Sequence, residues 1–395
     1  MAYQVNPVVA PVAPPPIAEA EAWIAGRDFP ADKPLMDVAQ AVPGYPPADA
    51  LSRHLAEAVL EPETARYTEI AGLPALRGAL AAHMRESYGG EVAPDQVCIT
   101  AGCNQAFCLA MTALAAPGDE VLLPVPYYFN HQMWLEMQGI RPVHLPFRRD
   151  RGGVPDPADA AERMTARSRA IVLVTPNNPT GAVYPPEVLA AFLELARDRG
   201  VALVTDETYK DFRASNDPPH GLFADPRWPD SLVQLYSFSK VYSLTGYRTG
   251  SIVCGPALMA EVTKIMDCVA ICAPRIGQRA ALFGLAELAG WREEKRLVMQ
   301  ERVEALRAAF TANDLAYELV SIGAYFAYLR HPFAGVPAHR VARRLAQAEN
   351  LLCLPGGMFG PGQDEYLRFA FANLEAEAMP DLARRLRASQ DWPDF

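Results

Sequence analysis

The sequence predicts an α/β protein in which a mostly parallel sheet is covered by helices and a smaller α+β unit follows. Two patterns carry this. From residue 97 to residue 254, short and near-continuous apolar runs alternate with segments of helical period. Strands without polar alternation are buried on both faces, as parallel strands are. Past Gly290 the alternation gives way to a long charged segment and isolated strand-like runs. At 395 residues, half of them hydrophobic, the chain has room for two domains and a sizeable core.

In order, residues 1–15 are rich in Pro, Ala and Val and read as an extended arm. A short helix is expected over 17–25, a Pro/Gly-rich loop over 42–47, and helices over 48–59 and 73–88. The alternating region then reads as strand 97–100, helix 104–115, strand 121–125, helix 132–137, strand 170–175 and helix 186–198. Strands follow at 201–205, 232–236 and 250–254. Beyond them come helix 291–313, strand 324–329, helix 337–347, strand 366–371 and helix 375–388. The chain divides into an N-terminal arm with part of the small domain (1–47), a large domain (48–290) and a C-terminal small domain (291–395). The arm is expected to pack with the C-terminal unit.

A net charge of −10 argues against nucleic acid and anionic membrane surfaces as partners, since both need clustered positive charge. No apolar run approaches the roughly 20 residues of a membrane span, and no charged-then-apolar leader opens the chain. Seven cysteines, an odd number without C-x-x-C, speak against a disulfide framework and a zinc site. No H-E-x-x-H occurs, so no metal is expected. A reducing cytoplasm is the expected setting.

The stretch Ser237–Gly250 organises the rest. Its preceding apolar run, 232–236, ends in Ser-Phe-Ser-Lys, which places Lys240 among small residues where a strand should turn. There are five lysines, and Lys33, Lys210, Lys264 and Lys295 read as charged or exposed. Buried lysine is rare unless it is paired or used in chemistry. A desolvated amine of lowered pKa is what an imine with an aldehyde requires. Ser237, Ser239 and Arg248 are suited to holding a phosphate beside it. Together these suggest a lysine-bound pyridoxal phosphate; the bland reading is a strand-end lysine paired with a surface carboxylate.

Ligands of open α/β sheets sit beyond the carboxyl ends of the strands, and successive ends here carry polar or aromatic residues. Strand 97–100 runs into Gly102-Cys103-Asn104, either a phosphate-binding helix start or an ordinary capped turn. Strand 121–125 leads to Tyr127, Tyr128 and His131. Strand 170–175 leads to Asn177-Asn178-Pro179, a turn with a candidate cis bond. Strand 201–205 ends in Asp206, with Tyr209 three residues on. A carboxylate there needs a cation, such as a protonated pyridine nitrogen, unless it caps a helix. Arg368, inside an aromatic strand, needs either a bound carboxylate or a cross-strand salt bridge. The Gly356–Gly362 run lacks the strand-then-helix context of a nucleotide fingerprint.

Taken in order, Tyr67-x4-Gly72-x3-Leu76-Arg77, Asn177–Gly181 and Ser237–Gly250 closely resemble the motifs of class I/II aminotransferases, the fold-type-I pyridoxal-phosphate enzymes. The resemblance spans Val38 to Ala372. It departs at Thr249, usually aliphatic, at Ala41, commonly glycine near the substrate carboxylate, and in Ala273–Gln278.

The resemblance implies a seven-stranded, mostly parallel sheet in a large domain that binds pyridoxal 5'-phosphate. It makes Lys240 the cofactor lysine and proton carrier. Asp206 would meet the pyridine nitrogen, Tyr209 and Asn178 the phenolic oxygen, and Tyr128 would stack on the ring with His131 behind Asp206. Gly102, Cys103, Asn104, Ser237, Ser239 and Arg248 would hold the phosphate with Tyr67 of the partner subunit. The active unit implied is therefore a homodimer with shared active sites. Arg368, Asn178 and Ala41 would meet an L-α-amino acid substrate, whose amino group passes to a 2-oxo acid. C–S β-lyases and aminocyclopropane-carboxylate synthases share these motifs and form the alternative. A non-catalytic sensor is disfavoured, because no basic helix-turn-helix segment precedes the fold. For the donor side chain, Arg275 favours a second carboxylate if it crosses the dimer and is otherwise a surface residue. Tyr45, Tyr128 and Phe326 suit an aromatic or large apolar donor.

Overall fold

The structure, a computed structural model, describes residues 3–392. Seven strands form the main sheet: β1 Val97–Thr100, β2 Glu120–Pro124, β3 Arg141–Leu145, β4 Ser168–Val174, β5 Ala202–Asp206, β6 Leu232–Ser237 and β7 Gly250–Val253. Their spatial order is β1-β7-β6-β5-β4-β2-β3. β7 runs antiparallel to both neighbours, and the remaining pairs are parallel. β5 and β6 are buried at every residue. That is why their sequences carry no polar alternation.

The seventh strand, β3, goes beyond the elements legible in the sequence. It lies at the sheet edge, and its half-polar Arg-Pro-Val-His-Leu is only partly buried. Helices Pro157–Arg163, Pro256–Ala270 and Arg275–Glu287 were likewise not expected. The last two are separated by Ile271, at φ +64, and by Pro274, which cannot continue a helix. Helix Phe129–Met137 starts three residues earlier than expected, directly after Tyr128.

The smaller sheet consists of β8 Glu318–Gly323, β9 Phe326–Arg330, β10 Leu354–Pro355 and β11 Tyr366–Ala370, in the order β10-β11-β9-β8, all antiparallel. Here β8 and the two-residue β10 are the unexpected elements; β8, a half-exposed edge strand, lacks an apolar signature. The final helix, Met379–Ser389, begins later than expected because Ala376–Ala378 forms a 3₁₀ turn. The N-terminal segment joins this unit. Met36–Asp37 pairs in parallel with Leu351–Leu352, and Ala370 N donates to Val38 O at 2.8 Å.

Two main hydrophobic clusters result. One surrounds the main sheet and runs from Leu51 to Leu288. The other gathers Met36, Val38 and the C-terminal elements, and it includes Tyr209 and Phe212 from the segment after β5. That segment therefore ties the β5 strand end to the smaller unit. No described helix is long and apolar enough to cross a membrane.

Candidate active site

A cavity of about 530 Å³ opens beyond the carboxyl ends of the parallel strands. β1 contributes Cys103 and Asn104 at the start of helix Cys103–Leu114, and β2 contributes Tyr128. β4 supplies Asn178, β5 supplies Asp206 and Tyr209, and β6 leads into Ser237, Ser239 and Lys240. Arg248 enters from the turn before β7, Arg368 from β11, and Ala41 from the N-terminal segment.

Lys240 sits in a four-residue helix capped by Ser237, whose hydroxyl accepts from Ser239 N at 3.2 Å. Its Nζ donates to Ala41 O at 2.6 Å. Burial, followed by the nearby charges of Arg248 and Arg368, brings the ammonium down to about 8. A substantial neutral amine fraction is thus present near neutral pH.

Asp206 is buried at the end of β5. Its Oδ1 accepts from Thr208 N at 3.0 Å and from Thr208 Oγ1 at 2.7 Å, so it caps its own turn as well as facing the cavity. Its Oδ2 lies 3.4 Å from His131 Nε2. Burial alone would raise this carboxyl, but His131 and Thr208 outweigh it and hold the group below the usual carboxylate range. His131 stacks on Phe107 with ring centres 3.9 Å apart, behind the cavity rather than in its wall.

Arg368 is 2% exposed. Its Nη1 donates to Asn178 Oδ1 at 3.3 Å, its Nη2 to Ala39 O, and its buried Nε has no hydrogen-bond partner among the described residues. Across the sheet it faces Tyr328 and Leu354, so no cross-strand salt bridge forms. Burial lowers even this guanidinium, to about 10. A buried cation with an unused donor is a strong claim on an anion.

Arg248 adopts the left-handed region at φ +51, uncommon for a residue with a side chain. The turn aims its guanidinium at Gly102, itself at φ +86, and at Ser239 Oγ, 3.5 Å from Nη1. A Cβ on Gly102 would collide with that guanidinium. Gly250 matters in the same place. A Cβ there would lie 2.6 Å from Gly102 C and 2.7 Å from Cys103 N. Gly250→Ala is therefore expected to push the Gly102–Cys103 backbone outward and destabilise the fold by about 1–3 kcal/mol. Differential scanning calorimetry and an anion titration check this; an unchanged melting temperature would refute the packing argument.

Tyr128, not Tyr127, faces the cavity; the Tyr127 ring packs on His144 instead. Tyr128 OH accepts from Asn130 Nδ2 at 2.8 Å, and burial raises its phenol to about 12. Burial likewise pushes the Tyr209 phenol well up. Neither Tyr45 nor Phe326 lines the cavity. Tyr45 packs on Trp291, and Phe326 lies under Arg368, 5.4 Å from its guanidinium carbon.

Tyr67 is 71% exposed and outside this cavity. Arg275 donates Nε to Arg66 O at 3.1 Å and Nη2 to Tyr67 O at 2.6 Å, so it holds the Tyr67 segment. Sequence patterns did not mark Pro15, Ile17, Gln40, Val42, Thr208 or Thr245, which also line the cavity. Thr208, two residues past Asp206, had the one available signal, the Asx turn.

The expectation that Lys210 is exposed is corrected. Lys210 is 7% exposed, set over the ring of Tyr236 at 4.8 Å with Asp211 3.5 Å away. Its Lys-Asp pair reads as surface charge, but tertiary packing closes over it behind the site.

The fold and these groups define an α/β protein with a buried lysine of lowered pKa in a cavity at the strand ends. The model of the family "Aminotransferase class I and II" matches residues 33–386. An aromatic aminotransferase of Arabidopsis thaliana is 33% identical over 364 residues, 89% of each chain. An aspartate/prephenate aminotransferase of Thermus thermophilus is 30% identical over 360 residues, 89% of this chain and 91% of that one. A solved double mutant of the Thermus thermophilus aspartate aminotransferase has a TM-score of 0.89 at 26% identity, covering 98% of this chain and 100% of its own. The chain belongs to the class I and II aminotransferase family, and it is an aminotransferase.

Proposed function

We propose that the protein uses pyridoxal 5'-phosphate, held through Lys240, to move an amino group from an L-α-amino acid to a 2-oxo acid. The observation that carries this reading is the meeting of Lys240, Asp206, Arg248 and Arg368 in one cavity. Each answers a different part of such a cofactor and its substrate.

Bound pyridoxal phosphate supplies an aldehyde for amines and a protonated ring that takes up the electron pair left at the substrate α-carbon. The protein's own groups do the rest. Arg248, Ser237, Ser239 and the N–H groups of Cys103 and Asn104 hold the phosphate, with Gly102 leaving it space. Asp206, kept ionised by Thr208 and His131, keeps the pyridine nitrogen protonated. Tyr209 and Asn178 would donate to the ring oxygen, and Tyr128 would cover the ring and exclude water. Arg368 takes the α-carboxylate bidentately, oriented by Asn178 and Ala39, with Ala41 alongside. Lys240 Nζ would take up the proton released at the substrate α-carbon.

The active unit in this reading is a homodimer, with Tyr67 of the partner subunit on the phosphate. Exposed Val59, Leu60, Tyr67, Ile70, Val269 and Ile271 support it. Contacts from Arg275 to Tyr67 O and between Thr68 and Cys272 draw several of them onto one surface. Light scattering on the purified protein checks the mass. The division into 1–47, 48–290 and 291–395 belongs to the same proposal, supported by the two core clusters. So does a cytoplasmic setting, supported by seven free cysteines.

The test is to mix purified protein with single amino acids, omit oxo acid, and follow the cofactor's absorption. Conversion to the amine form with release of a 2-oxo acid is expected. Ammonia release with return of the starting band would mean a lyase, and failure to take up pyridoxal phosphate would overturn the reading. Uptake itself should depend on pH. The Lys240 ammonium is depressed to about 8 and only the neutral amine reacts, so the uptake rate should climb up to about pH 8 and level off above it. A pH-independent rate in stopped flow would remove Lys240 from that role.

A further inference from the structure

We propose that the amino donor of this enzyme carries a large uncharged side chain, aromatic or apolar, in place of a second carboxylate. The inference rests on the function proposed above and extends it to the substrate's side chain.

Three cations line the cavity among the described residues, Lys240, Arg248 and Arg368, against one anion, Asp206. In the proposed complex Arg248 is engaged by the phosphate and Arg368 by the substrate α-carboxylate, while Lys240, displaced by the donor amine, acts as a neutral base and offers no lasting charge. A phosphate near two negative charges outweighs the single charge of Arg248, and Asp206 is balanced by the ring nitrogen. Among the described residues of this chain that line the cavity, no positive charge is left over. The rest of the mouth is neutral. Pro15, Ile17 and Val42 form an apolar wall, and Gln40, Asn104 and Asn130 provide uncharged polar groups. Of these, Asn130 is bonded to Tyr128 OH, and Asn104 Oδ1 lies 3.4 Å from that same hydroxyl.

A second carboxylate would therefore lose its water next to a phosphate and an α-carboxylate with no cation to meet it, which is strongly unfavourable. An aromatic or long apolar side chain loses nothing by leaving water and gains the Pro15–Ile17–Val42 wall. Arg275 is a further cation with a route to a neighbouring site, through the Tyr67 segment it holds. Two arms of its guanidinium are already given to Arg66 O and Tyr67 O. Turning it toward a substrate would release the backbone that positions Tyr67.

The experiment uses the holoenzyme with phenylalanine, tyrosine, tryptophan, methionine, aspartate and glutamate as single donors, and reads the rate of band conversion against concentration. The neutral donors are expected to exceed aspartate and glutamate by at least about tenfold in kcat/KM. In parallel, calorimetric titration with amine-free analogues separates binding from chemistry. 3-Phenylpropionate is expected to bind at least about tenfold more tightly than succinate. Aspartate or glutamate as the best donor, or succinate binding as well as 3-phenylpropionate, would overturn the inference while leaving the aminotransferase reading intact. Conversion by none of the donors would overturn that reading and this inference with it.

Discussion

Replacing Lys240 by alanine is expected to lower transamination by about 10⁴-fold or more while leaving the fold standing. The side chain donates one hydrogen bond, to Ala41 O, and otherwise faces the cavity. Its removal also relieves a desolvated ammonium crowded by Arg248 and Arg368. Stability should therefore hold or rise slightly, which separates a catalytic loss from a folding loss. Single-turnover kinetics with the cofactor added back measures the first, and thermal melting measures the second. Partial recovery with small primary amines would locate the defect at the missing amine. Substantial turnover by Lys240→Ala without any added amine would sink the assigned role.

Asp206→Asn is expected to cost about 10²–10³-fold in kcat. The asparagine keeps the size of the side chain and can still accept from Thr208, so the turn after β5 survives. What it lacks is the charge that keeps the ring nitrogen protonated. Asp206→Glu, which retains the charge at a shifted position, should lose less. Because His131 and Thr208 hold the Asp206 carboxyl below the usual range, its protonation should leave no inflection in the activity profile near neutral pH. A variant with asparagine at this position and the parent rate would show that ring protonation does not depend on this group.

Much of this was legible without coordinates. Asp206, Asn178, Lys240 and the Gly102 turn each stand at the end of an apolar run, and strand ends in a parallel sheet converge on one edge. The local pattern thus named residues that the tertiary structure brings into a single cavity. Edge strands β3 and β8 escaped because half-exposed strands mix polar with apolar residues and lose the buried-strand signature. The choice between Tyr127 and Tyr128 also escaped, since adjacent residues at a turn differ only in which way the chain bends.

The sequence by itself determined six of the seven strands of the main sheet, the lysine at its carboxyl edge and the charged groups around it. These depend on short-range periodicity, turn chemistry and the cost of burying a charge. The tertiary structure alone decided which neutral residues close the mouth, because Pro15, Ile17 and Gln40 come from the opposite end of the chain from the lysine motif. It also decided that Lys210 is buried and that Arg275 is tied to the Tyr67 backbone. Such outcomes depend on which distant surfaces pack together, and packing partners leave no local trace in the chain.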